Sequence, residues 1–326
     1  MWSYRIIAPY QFERTSIAEK TPDSLADGQV LLRFLAAGVC GSDMPAFRGV
    51  RGKLPGDDGR CGAEKDGYPI HEVVGEVIAS RHRQHRPGDR VVGWASAFDG
   101  LMERVVTDGN QVSAYDPTLS PGQAVGLQPL ACVLYAIEQL PDLNGRHVGI
   151  IGQGSIGLLF SCAAKAAGAR RITGVDPVDR AEIATKFGVD TYARATSDRW
   201  VSQLAREDRP DVVIEAVGHQ VATLSHAIEA AAPGGTVFYF GVPDDDSYPI
   251  SMRTMLRHNL TLKSGVALDR PRMLELANKF AAEHPGLLAK YLTHTFGIDD
   301  VQAAFELAGR PVPGRGKIAI AETGAP

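Results

Sequence analysis

Cysteine is scarce in this chain. Four stand in 326 residues, at Cys40, Cys61, Cys132 and Cys162, with uneven spacing. That excludes a disulfide-stapled scaffold and suits a reducing compartment. Long apolar runs are missing too, and none approaches the length that spans a bilayer. The N-terminal stretch MWSYRIIAPYQFERTS has no basic segment followed by a long apolar one, so no secretory signal is expected there. There is no basic block and no acidic tail, and the formal net charge is −4. Nucleic acid and anionic membrane surfaces are therefore poor partners. Internal repeats and low-complexity segments are absent as well. The expectation is a cytoplasmic protein.

What is present is ordinary globular material: 44% hydrophobic and 22% charged residues, enough for a sizeable core. The length suggests two domains. The first third reads as β-rich. QVLLRFLA (29–36), HEVVGEVIAS (71–80) and DRVVGWA (89–95) have strand character, the last two separated by the turn signal RPGD. The segment between Gly49 and Tyr68 is rich in glycine and charge and reads as a surface loop carrying Cys61. SPGQAVGLQPLACVLYAIEQL (120–140) predicts one helix entered after Ser-Pro-Gly.

The middle third changes character. RHVGIIG (146–152), RITGVD (171–176), DVVIEAVG (211–218) and GTVFYFG (235–241) are short apolar runs ending in Gly or Asp, with alanine-rich helical stretches between them. That alternation predicts a doubly wound parallel sheet of Rossmann type. NLTLKSGV (259–266) predicts a further strand. PRMLELANKFAAEH and IDDVQAAFELAG predict helices, and KIAIAE a terminal strand.

Within IIGQGSIGLLF, Gly152, Gly154 and Gly157 follow a strand and open a helix, and Asp176 ends the next strand. In that setting the pattern is a dinucleotide fingerprint. Glycines permit a tight turn and a close backbone approach to pyrophosphate. The helix start, with Ser155 and Ile156, offers unpaired N–H groups to the phosphates. The Asp176 carboxylate accepts from ribose hydroxyls and repels a 2′-phosphate, which favours NAD over NADP. The strand-end residues Val217 and Gly241 are expected along the same cofactor.

GVCGSD places Cys40 between an apolar strand and a turn, a position that suits a metal ligand, a nucleophile or packing. YPIHEVVGEV begins a strand with His71 and Glu72, and GDRVV follows. Taken in this order, with a dinucleotide-binding segment in the middle of the chain, these elements resemble the medium-chain dehydrogenase/reductase superfamily, in its zinc-dependent alcohol and polyol dehydrogenase branch. The resemblance runs over nearly the whole chain, although Ile70 stands where the family usually has Gly before His-Glu. It implies a β-rich GroES-like catalytic domain over 1–128 and 266–326, with a Rossmann domain over 129–265 between them. It carries over Cys40 and His71 as zinc ligands, and Glu72 as a ligand or a near-metal group. Ser42 matches the hydroxyl that takes the substrate proton, although a turn-forming serine would look the same. Asp43 matches a carboxylate that orients the zinc-bound histidine, although an Asx-turn residue would also look the same.

Three departures from the family pattern carry consequences. The stretch VGWASAFDGLMERVV lacks the four clustered cysteines of a structural zinc, so one catalytic zinc per chain and no structural zinc is expected. Pro45 stands where a proton-relay histidine is common. Gln128 stands at the fourth metal position, usually Glu, Asp or Cys, and either ligates through its amide oxygen or leaves the place to water or Glu72. Cys132, one turn further on, reads as packing. His82 and His85 read as a solvated turn, and His147 and His219 receive no catalytic role. The implied function is NAD-linked oxidation of a secondary alcohol, sugar or polyol by a homodimer or homotetramer. The alternatives are a zinc-free quinone or enoyl reductase of the same superfamily and a catalytically idle NAD-binding protein.

Overall fold

The structure, a computed structural model, describes residues 1–50 and 65–322. Cys61 and most of the segment read as a surface loop lie outside the described residues. The chain divides into two compact units, one holding Met1–Ala131, Asp269–Pro311 and Lys317–Pro326, the other Cys132–Leu268 and Val312–Gly316.

The first unit contains β1 (Trp2–Ala8), β2 (Gln11–Ser16), β3 (Gln29–Val39), β4 (Glu72–Ser80), β5 (Arg90–Trp94), β6 (Arg104–Asp108) and β7 (Val112–Ala114). The second unit supplies β8 (His147–Ile151), β9 (Arg171–Asp176), β10 (Thr191–Arg194), β11 (Val212–Glu215), β12 (Thr236–Tyr239) and β13 (Thr261–Ser264). The chain then returns to the first unit with β14 (Leu292–Gly297) and β15 (Lys317–Ala321).

In the first unit a mixed sheet runs β14-β15-β3-β4-β5-β7, with β6 also on β3. Val30, Leu32 and Phe34 of β3 bury against Val73, Val77, Val91 and Phe305. Removing each such side chain from water contributes about 1.5–3 kcal/mol. What matters for the site is register. β3 and β4 are antiparallel, with Gly38 opposite Glu72. The end of β3, which runs into Cys40, therefore lies beside the start of β4, where His71 and Glu72 stand. Residues remote in sequence become neighbours through one strand pairing.

The second unit is a parallel sheet in the order β10-β9-β8-β11-β12-β13, the doubly wound Rossmann arrangement anticipated from the apolar runs. Ile151, Val175, Val213 and Val237 bury on it beneath Leu224 and Ile228. β11 stops at Glu215, short of the predicted run to residue 218, because the Glu215 carboxylate itself captures the following amides of Val217 (3.1 Å) and Gly218 (3.2 Å).

The single helix expected over 120–140 is two. Ser120 caps Pro121–Ala124 through a reciprocal pair with Gln123, and Leu127–Gln139 follows. The break falls at Gly126, where a Cβ would come within 2.9 Å of Leu288 Cδ2 and 3.0 Å of Tyr291 Cδ1.

Candidate active site

Cys40 leads into a short 3-10 turn, Gly41–Asp43. Asp43 does two things there. Its Oδ2 accepts the Cys40 N–H at 2.8 Å, closing the turn, and its Oδ1 lies 3.2 Å from His71 Nδ1. Asp43 thus closes the turn and contacts the His71 ring at once. A proton on Nδ1, directed at the carboxylate, leaves the other ring nitrogen of His71 with its lone pair. Burial works against the imidazolium form of His71. The Asp43 carboxylate and the Cys40 sulfur outweigh it and hold the histidine well above its ordinary value.

Cys40, His71 and Glu72 each bring a ligand atom within 4.8 Å of the others. A thiolate, an imidazole and a carboxylate form a borderline-soft set that suits zinc better than magnesium or calcium. Glu72 is only 1% exposed, and one of its oxygens, Oε2, contacts Lys317 Nζ. The other, Oε1, is buried with no hydrogen-bond partner among the described residues. A buried carboxylate oxygen left unpaired is costly, and a cation beside it would relieve that cost. The residues present therefore fit a zinc ion.

Ser42 is the middle residue of the same turn and is half-buried. Gln128 is the second residue of its helix and is buried, and Cys132 follows one turn later, half-buried. Two residues of this site escaped the sequence reading. Lys317 opens an apolar strand, and a lone lysine in KIAIA was the available signal. Phe98 stands with its ring centroid 5.5 Å from that of His71 and its φ at +57°, a conformation costly for a bulky residue. Nothing in the sequence marks it.

In the second unit, Gly152 takes φ +92°, a turn open to glycine. Gly154 caps the helix Ser155–Ala166, which begins with Ser155 and Ile156. A Cβ on Gly157 would collide with the Gly152 carbonyl, so this glycine allows the helix to pack close beneath the turn. Asp176 ends β9, its Oδ2 accepting from Gln153 N at 2.9 Å and its Oδ1 from Val178 N at 2.8 Å. Buried Arg180 lies 3.7 Å from it and donates to the Arg315 carbonyl at 2.8 Å. Glu215 accepts the amides of both Val217 and Gly241, tying the ends of β11 and β12 together.

The four other histidines singled out in the sequence have contacts of their own. His82 and His85 stack at 5.0 Å, with Nε2 of His85 on the Gly109 carbonyl at 2.8 Å. His147 is buried against Thr173, and burial, helped by Arg171, lowers its pKa to about 4. His219 pairs with Asp244 at 2.6 Å.

Residues 26–166 match the alcohol dehydrogenase GroES-like domain family, and residues 155–283 the zinc-binding dehydrogenase family. The chain is 26% identical to sorbitol dehydrogenase of Bombyx mori over 332 residues, 89% of this chain and 91% of that protein. It is 26% identical to L-arabinitol 4-dehydrogenase of Aspergillus oryzae over 350 residues, 92% of this chain and 88% of that one. Its fold is similar to that of alcohol dehydrogenase TADH from Thermus sp. ATN1, with a TM-score of 0.81, 23% identity, and coverage of 99% and 100%.

Proposed function

Because the chain belongs to the zinc-binding alcohol and polyol dehydrogenase branch of the medium-chain dehydrogenase/reductase superfamily, we propose that it oxidises a secondary alcohol, sugar or polyol to the carbonyl with NAD, using one catalytic zinc per chain and no structural zinc. The observation that carries this reading is the cluster of Cys40, His71 and Glu72 ligand atoms. Cys40 and His71 would hold the metal, with Glu72 or Gln128 as the further protein ligand. Zinc bound there lowers the pKa of a coordinated hydroxyl. The nicotinamide is the hydride acceptor.

The chain's own residues do the rest. Ser42 Oγ receives the hydroxyl proton of the substrate. Pro45 cannot pass it on, so the proton leaves by another path than a histidine at that position. Asp43 keeps the His71 ring in the ligating tautomer. Gly154, Ser155, Ile156 and Gly157 present backbone N–H groups to the pyrophosphate, while Gly152, whose own N–H donates to the Val175 carbonyl at 2.8 Å, makes the tight turn. Asp176 receives the ribose hydroxyls, and Val217 and Gly241, held by Glu215, border the nicotinamide end. A homodimer or homotetramer is supported by four apolar side chains left exposed in the second unit, Met252 (66%), Leu256 (78%), Val266 (69%) and Leu268 (84%), near the edge strand β13. The proposed location is the cytoplasm. Among the described residues no helix is long and apolar enough to cross a membrane. The test of the function is NADH formation from a panel of polyols, sugars and secondary alcohols, and no turnover with any of them would leave an idle NAD-binding protein.

Three variants test the details. Asp176→Ser should raise the ratio of kcat/KM for NADP over NAD by about ten- to a hundredfold, the worth of hydrogen bonds to a charged group. It deletes the ribose acceptor and leaves Arg180 without its carboxylate partner, available to a 2′-phosphate. A wild-type enzyme at least as efficient with NADP as with NAD would contradict the assignment. With Gln128 as the further ligand, thiolate Cys40 and neutral His71 and Gln128 would leave a net charge of about +1 at the metal, which would lower the pKa of a substrate hydroxyl more than a site holding a second carboxylate. Gln128→Glu should keep zinc and move the rising limb of alcohol oxidation to higher pH, and Gln128→Ala should weaken zinc retention under mild chelation. If both variants match wild type in both measurements, Gln128 is a helix-entry residue away from the metal.

A further inference from the structure

Lys317 and Glu72 are 2% and 1% exposed, and a lysine and a glutamate are rarely so buried unless paired. Lys317 Nζ contacts Glu72 Oε2 and donates to the Val39 carbonyl at 3.1 Å. The pair lies across β3 at the position that lacks a side chain. Gly38 is opposite Glu72 on one side and Ala319 of β15 on the other. A Cβ on Gly38 would overlap Glu72 Oε2 and stand 2.8 Å from Lys317 Cε. The strand therefore makes room for this ion pair. Yet the pair leaves the carboxylate short of partners: among the described residues neither oxygen has a hydrogen bond, Oε2 meeting Lys317 as an ion pair and Oε1 meeting no partner, and a Glu72 oxygen belongs to the cluster with Cys40 and His71.

We propose that Lys317 is a positioning residue for the metal centre: its ammonium competes with the metal for the Glu72 carboxylate and so sets how tightly the metal is held. The inference rests on the reading that Cys40 and His71 hold zinc. With Lys317 in place, Glu72 is compensated whether or not metal is bound, and its hold on the metal is weakened, which favours a position open to the substrate oxygen. Without Lys317, Glu72 is an uncompensated buried charge in the metal-free chain and a stronger ligand in the metal-bound one. A lysine serving only the fold would stabilise both forms equally.

The experiment compares wild type, Lys317→Met and Lys317→Met with Glu72→Gln, each zinc-loaded and zinc-stripped, by thermal melting and by the rate of zinc release to excess chelator. Stripped Lys317→Met should melt roughly 6 °C or more below stripped wild type, while the loaded forms differ by less than about half of that. Zinc release should slow by about tenfold or more, the range over which groups behind a metal ligand act. In the double variant both asymmetries should vanish. A Lys317→Met chain that folds with zinc and unfolds on chelation shows the same asymmetry in extreme form. Equal destabilisation of the two forms with unchanged or faster zinc release overturns the role of Lys317, as does a variant that fails to fold even with zinc supplied. Wild-type protein that takes up no zinc overturns the metal reading and this inference together.

Discussion

Cys40→Ala and His71→Ala should each yield a folded chain that loses its zinc and, with it, turnover by about a thousandfold or more. Stabilising a developing alkoxide with a metal is worth several kcal/mol, and about 4 kcal/mol corresponds to that factor in rate. The scaffold should tolerate both changes. The turn after Cys40 is closed by the Cys40 backbone N–H on Asp43, which alanine preserves, and neither side chain is fully buried. Metal analysis, melting temperature and turnover on the same preparations check the claim. A Cys40→Ala variant that keeps its zinc would remove Cys40 from the ligand set.

Ser42→Ala should do something different. Zinc and NAD binding should remain, because no ligand and no cofactor contact is removed, while kcat falls by about a hundredfold or more, the usual contribution of a positioned general acid or base. The comparison of kcat with KM, alongside zinc content, separates the two kinds of site residue. Unchanged kcat would reduce Ser42 to a member of the 3-10 turn.

The nucleotide unit was legible because its determinants are local. Short apolar runs ending in Gly or Asp became β8, β9, β11 and β12, and the glycine fingerprint falls between β8 and its helix, where a strand-turn-helix requires it. The metal cluster was legible only through family resemblance. No spacing rule says that Cys40 and His71 meet, since that depends on the antiparallel register of β3 and β4. Lys317 was missed because its meaning lies in a partner on β4, with β3 in between, and a lysine at a strand start ordinarily points to water. The strands β2 and β14 were missed because QFERTS and LTHTFG are polar and largely unburied, so no strong apolar alternation marks them. At the break, Leu288 and Tyr291 lie too close to Gly126 to leave room for a Cβ, and both are far along the chain.

The most direct measurement is a zinc titration of stripped wild-type protein, with NADH formation from the best substrate of the panel followed at each addition. Activity should rise from near zero in proportion to bound zinc and level off at one zinc per chain. Full activity in the zinc-free protein, or activity that requires a second tightly held zinc, would contradict the account.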